Sequence, residues 1–164
     1  MRICYFNDFK LGVVKGDGVV DVTDVVNDIP HTGPENLISG LIARFDKYRD
    51  KIEAAVSAGN PVPLEDVCIR PPLPRPGTIS CMAVNYMENG TLPQKPPRNG
   101  FHKAGTAVIG DGDKMVLPDE PATIFEGEAE LALVISKPSR NVKAADAFDH
   151  IFGYTNFIDG SACG

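Results

Sequence analysis

Apolar and polar residues alternate most sharply in the stretch IFEGEAELALVI, residues 124–135. Because successive side chains of a strand point to opposite faces, the odd positions form an apolar face, which predicts a contact with the protein core. The even positions begin with Glu126, Glu128 and Glu130, and no Lys or Arg lies among them. Neighbours on one face are about 7 Å apart, so these carboxylates repel each other unless solvent or a cation screens them.

Other patterns predict the remaining elements. Residues 1–30 contain short strand candidates and a GDG turn, and apolar residues recur at helical spacing over residues 36–58, which predicts one amphipathic helix ending before Gly59. Six prolines in residues 61–77 indicate an extended linker. A hairpin is predicted around DGD at residues 111–113, and GYTNFID predicts a final strand that ends at Asp159.

These patterns predict an α+β protein with three parts. A small N-terminal β unit with a helix covers residues 1–60, the proline-rich linker covers residues 61–77, and a β-rich body covers residues 78–164. The absence of an internal repeat and the length of 164 residues are typical of one sizeable core.

Composition excludes several classes of partner. The net charge of −6 argues against nucleic acid and against anionic membrane surfaces. No apolar run approaches the length of a membrane span, so no membrane association is predicted. The four cysteines lack CxxC spacing, which favours reduced thiols and a cytoplasmic location over a disulfide scaffold or a zinc site.

Asp159 is a candidate third carboxylate beside Glu128 and Glu130. An aspartate in a mostly apolar strand is costly unless it is hydrogen-bonded or bound to a cation. Oxygen ligands alone suit a hard divalent cation such as Mg²⁺, Mn²⁺ or Ca²⁺. Two other interpretations stay open at this point: the glutamates form a solvated face, and Asp159 caps the end of its strand.

Two segments together resemble the metal-binding core of the fumarylacetoacetate hydrolase family: GEAELALVISK, and FGYTNFIDGSA towards the C-terminus. In that family an ExEL pair and the aspartate of a Dx[ST]A motif hold a divalent cation, usually Mg²⁺. The resemblance therefore implies that Glu128, Glu130 and Asp159 are metal ligands, with Mn²⁺ or Ca²⁺ as alternatives to Mg²⁺. It extends from about Thr78 to the end of the chain and includes ISCMAVNY and FHK.

The resemblance also implies a fold, a substrate class and an assembly. The fold is a mixed β-roll, and the substrate is a small 2-oxo acid or β-dicarbonyl compound that undergoes C–C hydrolysis, decarboxylation or isomerisation, as in the catabolism of aromatic compounds. Tyr86, Lys103 and Ser161 are the implied substrate-binding residues. A homodimer is expected by the same resemblance.

The sequence departs from the family pattern at two places. Family hydrolases carry a histidine that activates water where this chain has Asn89, and an amide cannot act as a general base near neutral pH. The adjacent Glu88 is the candidate substitute, so Glu88 and Asn89 are the catalytic positions to examine. Cys163 replaces the usual arginine after the aspartate motif, and the chain is about half the usual family length, so we expect a partial β-roll.

Two rival functions follow from these departures. A degenerate family member would bind metal and ligand without turnover. A structural calcium-binding domain would need the acidic cluster alone.

Overall fold

The computed structural model describes residues 1–83, 93–94, 96–119 and 121–163. The protein is α+β, as predicted, with antiparallel sheets and few helices. Its strands and helices in chain order are β1 (Ile3–Phe6), β2 (Lys10–Lys15), β3 (Gly18–Asp21), α1 (Pro34–Ile42), α2 (Phe45–Ala58), β4 (Val62–Pro63), β5 (Ile69–Arg70), β6 (Ile79–Ala83), β7 (Asn99–Lys103), β8 (Ile124–Ile135) and β9 (Ile151–Cys163).

The N-terminal part is a five-stranded antiparallel sheet in the order β4-β3-β2-β1-β5. Strands β4 and β5 come from the predicted linker and pair with β3 and β1. The two helices cover one face of the sheet. The core between them includes Tyr5, Leu11, Val20, Leu41, Tyr48 and Ile52, all of them buried. The division of the chain into domains at residues 60 and 77 stays a prediction.

The prediction of a single helix over residues 36–58 is wrong, because the chain forms two helices. Arg44 leaves the helical conformation between them (φ −133°, ψ 22°), and its N–H group donates to the carbonyl of Leu41 (3.1 Å). The apolar positions keep their spacing across this break, so the pattern did not reveal it. No helix in the described ranges is long and apolar enough to cross a membrane. The cytoplasmic location stays a prediction.

The C-terminal part contains two antiparallel ribbons, β6–β7 and β8–β9. Every strand pairing among the described residues is antiparallel, whereas a mixed roll was expected. The predicted hairpin around residues 111–113 is wrong: the turn forms, with Gly112 at φ +75°, but no strand flanks it. Whether the roll is partial stays a prediction.

Strand β8 has the bounds that the alternation predicted, but its faces differ from the expectation. The odd positions, expected to lie in a core, are exposed, with Leu131 at 61% and Leu133 at 53% of their accessible surface. The even positions of the second half of the strand are half-buried. The reason is that the described residues cover only the second half of the even face and leave the apolar odd face open.

Candidate metal centre

The register of β8 against β9 brings the carboxylates together. Glu128 lies directly opposite Asp159, and Glu130 lies two residues further along the same face of β8. Strand β9 continues to Cys163, so Asp159 lies within the strand and not at its end as predicted. One oxygen from each of the three carboxylates lies within 4.8 Å of the others.

The three carboxylates differ in exposure. Asp159 is buried at 1% exposure, Glu130 is half-buried and Glu128 is exposed. Burial raises the pKa of Glu130, and the neighbouring Asp159 and Glu128 raise it further, while Lys103 lowers it. The neighbouring negative charges therefore disfavour the ionised form of Glu130 in the absence of a cation.

Lys103, the last residue of β7, reaches this cluster. Its Nζ atom contacts Asp159 Oδ1 and donates a hydrogen bond to the carbonyl of Gly160 (3.0 Å). This ion pair makes the ammonium group the partner of the buried Oδ1. Lys103 was predicted to bind the substrate, and the structure places its ammonium on a carboxylate of the cluster.

These residues fit a hard divalent cation. All three ligand atoms are oxygens, the donor type that Mg²⁺, Mn²⁺ and Ca²⁺ prefer. Three clustered carboxylates opposed by one ammonium group retain negative charge that is costly to hold together, and a cation would compensate that cost. The exposed side at Glu128 leaves room for further ligands from solvent or substrate.

Two residues near the cluster were missed by the sequence interpretation. Cys81 is buried on β6, and burial raises the pKa of its thiol; Asp159 and Glu130 raise it further, and Lys103 opposes them. Met115 packs over Gly160, since a side-chain carbon added there would lie 2.6 Å from the Met115 sulfur. The alternation in TISCMAV was a usable signal for Cys81, whereas nothing in the sequence indicated Met115.

The remaining predicted site residues are placed as follows. Ser161 lies two residues after Asp159 on the same face of β9, opposite Glu126. Tyr86, Glu88 and Asn89 lie outside the described residues. The roles of all the predicted site residues stay predictions.

The family model for the fumarylacetoacetate (FAA) hydrolase C-terminal domain matches residues 78–163. The chain belongs to the fumarylacetoacetate hydrolase family, which confirms the resemblance. The match covers the two ribbons and all three carboxylates of the cluster.

Individual relatives give a finer comparison. The chain is 31% identical to a maleylpyruvate hydrolase of Aquipseudomonas alcaligenes, over 97% of this chain and 61% of that protein. It is also 31% identical to the human mitochondrial oxaloacetate tautomerase FAHD2A, over 90% of this chain and 46% of that protein. The chain thus spans about half to three fifths of the length of these curated relatives.

A solved structure resembles the whole chain. It is a maleylpyruvate hydrolase from Sphingobium sp. SYK-6 in complex with manganese(II) ion and pyruvate, with a TM-score of 0.87 and 35% identity. The match covers 100% of this chain and 60% of that one.

Proposed function

We propose that the protein is a divalent-metal-dependent enzyme that acts on a small 2-oxo acid or β-dicarbonyl compound. The observation that carries the proposal is the convergence of Glu128, Glu130 and Asp159 from two strands onto one point. The relatives support the substrate class, because their names include maleylpyruvate and oxaloacetate, which are both small 2-oxo acids. The manganese and pyruvate bound to the Sphingobium protein support both the metal and the substrate class.

In this proposal the three carboxylates would hold Mg²⁺ or Mn²⁺. The bound cation would act as a Lewis acid that stabilises negative charge developing on substrate oxygens. Asp159 is the fixed ligand, because it is buried and its strand pairs along its whole length with β8. Glu128 is exposed and marks the side from which a substrate enters.

We further propose that tautomerisation or decarboxylation is favoured over hydrolysis. Hydrolysis needs a base that removes a proton from the attacking water, and such a base contributes about 10²–10⁴-fold to the rate. Asn89 cannot supply it, so hydrolysis would require another base, for which Glu88 is the candidate. Tautomerisation and decarboxylation depend mainly on stabilising an enolate, which a cation held by the three carboxylates would do. The likeness to an oxaloacetate tautomerase supports this choice.

Steady-state assays would test the reaction type. Wild type, Asn89→His and Glu130→Gln would be compared in cleavage of an acylpyruvate and in decarboxylation and tautomerisation of oxaloacetate, each with Mn²⁺. We expect wild-type activity on oxaloacetate, loss of that activity in Glu130→Gln, and a gain of acylpyruvate cleavage in Asn89→His. Efficient cleavage by wild type that Asn89→His leaves unchanged would contradict the proposed reaction type.

The same experiments separate the two rival functions. A family member without turnover would bind pyruvate in the presence of Mn²⁺ and be inactive on the whole substrate panel. A structural domain would prefer Ca²⁺ and bind no 2-oxo acid. Calorimetric titration with Mn²⁺, Ca²⁺ and pyruvate distinguishes these outcomes.

We also propose that the protein works as a homodimer. The exposed apolar face of β8 and β9, which includes Leu131, Leu133, Tyr154 and Ile158, supports association with another chain. Size-exclusion chromatography with light scattering tests the proposal, and a monomer at micromolar concentration would contradict it.

A further inference from the structure

Lys103 gives the carboxylate cluster a defined charge. Its ammonium group contacts the buried Asp159, and its side chain is itself only 24% exposed, so water screens this pair weakly. No other Lys or Arg nitrogen within the described part of the chain lies within 4.0 Å of the three carboxylates. The ionised cluster carries three negative charges and Lys103 one positive charge, which leaves a formal charge of −2.

That charge equals the charge of a divalent cation with opposite sign. A divalent cation bound by this site would balance the charge of these four side chains. A trivalent cation would leave an excess positive charge next to the half-buried ammonium group, which reduces the net gain from binding it. The positive charge of Lys103 therefore opposes the binding of trivalent cations more than that of divalent cations, although both kinds prefer oxygen ligands.

We infer that Lys103 is a specificity-determining residue that shifts the selectivity of the site towards divalent and away from trivalent hard cations such as Fe³⁺ or Al³⁺. The inference rests on the proposed function, since it requires the three carboxylates to be the metal site. It differs from a role in substrate binding, because it acts on the metal in the absence of substrate. It also differs from a purely structural link between β7 and β9, because such a link would affect all cations alike.

Replacing Lys103 with a neutral residue should change the selectivity of the site for cations as well as its affinity. Removing the ammonium raises the attraction for any cation, and the gain is larger for a trivalent ion because the energy scales with the charge of the ion. The ratio of the Mn²⁺ dissociation constant to the Tb³⁺ dissociation constant is therefore the quantity to measure. If the variant only lost structure at the site, the dissociation constants for Mn²⁺ and Tb³⁺ would change by the same factor, and their ratio would stay constant.

The experiment is calorimetric titration of the apo protein with Mn²⁺ and, separately, with Tb³⁺ in a non-coordinating buffer near pH 6. The variants are Lys103→Met and Lys103→Gln, which are neutral, and Lys103→Arg, which keeps the charge. Lys103→Gln also keeps a donor for the Gly160 carbonyl, so it remains informative where Lys103→Met fails to fold. Lys137→Met is the matched control, because Lys137 lies two residues beyond the end of β8 at Ile135, which is itself five residues or roughly 16 Å along the strand from Glu130.

We expect the ratio to rise at least tenfold in both neutral variants and to stay within threefold of wild type in Lys103→Arg and Lys137→Met. A rise of less than tenfold in Lys103→Gln overturns the inference, whether both affinities fall together or neither changes. If the wild type binds Mn²⁺ and the ratio does not move, the inference alone fails. If the wild type binds neither ion, the proposed metal-dependent function fails with it.

Discussion

Glu128 lies directly opposite Asp159 in the antiparallel ladder between β8 and β9. Like charges at directly opposed positions destabilise a pair of strands. Lys103 from β7 offsets one of the charges, and a cation would offset the others. The arrangement is therefore unfavourable for the ribbon by itself and favourable for binding a cation.

Replacing Glu130 with Gln should weaken Mn²⁺ or Mg²⁺ binding at least tenfold, which corresponds to about 1.4 kcal/mol. The amide keeps the size of the side chain but loses the charge and one strong oxygen ligand. Calorimetric titration measures the effect.

Glu126→Gln is the matched control for this prediction. Glu126 lies on the same face of the same strand but outside the carboxylate cluster. Its replacement should change the affinity less than threefold. Equal affinity in wild type and Glu130→Gln would remove this cluster from consideration as the metal site.

Replacing Lys15 with Met should destabilise the N-terminal part by about 1–2 kcal/mol. Lys15 Nζ donates to the carbonyls of Val56 (2.8 Å), Ser57 (3.2 Å) and Gly59 (3.1 Å), at the C-terminal end of α2. The last carbonyls of a helix have no partner within the helix, so this ammonium acts as their cap. Urea denaturation followed by circular dichroism measures the loss.

Lys10→Met is the comparison for Lys15→Met. Lys10 lies 3.4 Å from Asp21 in an ion pair whose two side chains are both largely exposed. Exposed pairs contribute little, so the free energy of unfolding should change by less than about 0.5 kcal/mol. Equal losses in the two variants would show that the cap on α2 has no special role.

The sequence was most informative where the pattern is local. The alternation over residues 124–135 has the same bounds as β8, and the acidic pattern placed Glu128 and Glu130 on one face. Asp159 was identified as the third candidate from the family motif and from the cost of burying a carboxylate. The register of β9 against β8 brings its side chain close to those of the two glutamates. These inferences needed only the period of a strand and one pairing partner.

The sequence was least informative where distant segments meet. The position of Lys103 on Asp159 depends on how β7 approaches β9, and no local pattern encodes that approach. An apolar face has the same pattern whether or not another segment covers it, so the exposure of Leu131 was not foreseeable. The break between α1 and α2 at Arg44 was not predicted for a similar reason, because the spacing of the apolar residues continues through it.

Replacing Asp28 with Asn should reduce the loss of stability at acidic pH. Asp28 accepts hydrogen bonds from Lys47 Nζ (2.9 Å) and from the hydroxyl of the buried Tyr48 (2.8 Å), and these two bonds lower the pKa of Asp28. A carboxyl group with a lowered folded-state pKa stabilises the fold above its unfolded pKa of about 3.9 and loses that effect as the pH falls through its folded pKa.

Urea midpoints of wild type and Asp28→Asn between pH 6 and pH 2 measure this effect. The wild type should be more stable at pH 6, and the difference should vanish towards pH 2. Asp50→Asn, an exposed change on α2, is the control and should show no such trend. A difference between wild type and Asp28→Asn that is constant over the whole range would contradict the prediction.

Replacing Gly105 with Ala should destabilise the protein by about 1–3 kcal/mol. A methyl group at Gly105 would overlap the carbonyl oxygen of Pro76, and a backbone atom cannot move aside as a flexible side chain can.

Gly77→Ala is the matched control: it neighbours Pro76, and a methyl group there would meet nothing within 4 Å. It should be neutral or slightly stabilising, because alanine restricts the unfolded chain. Thermal denaturation measures both, and equal midpoints would show that the approach of residue 105 to Pro76 is not required.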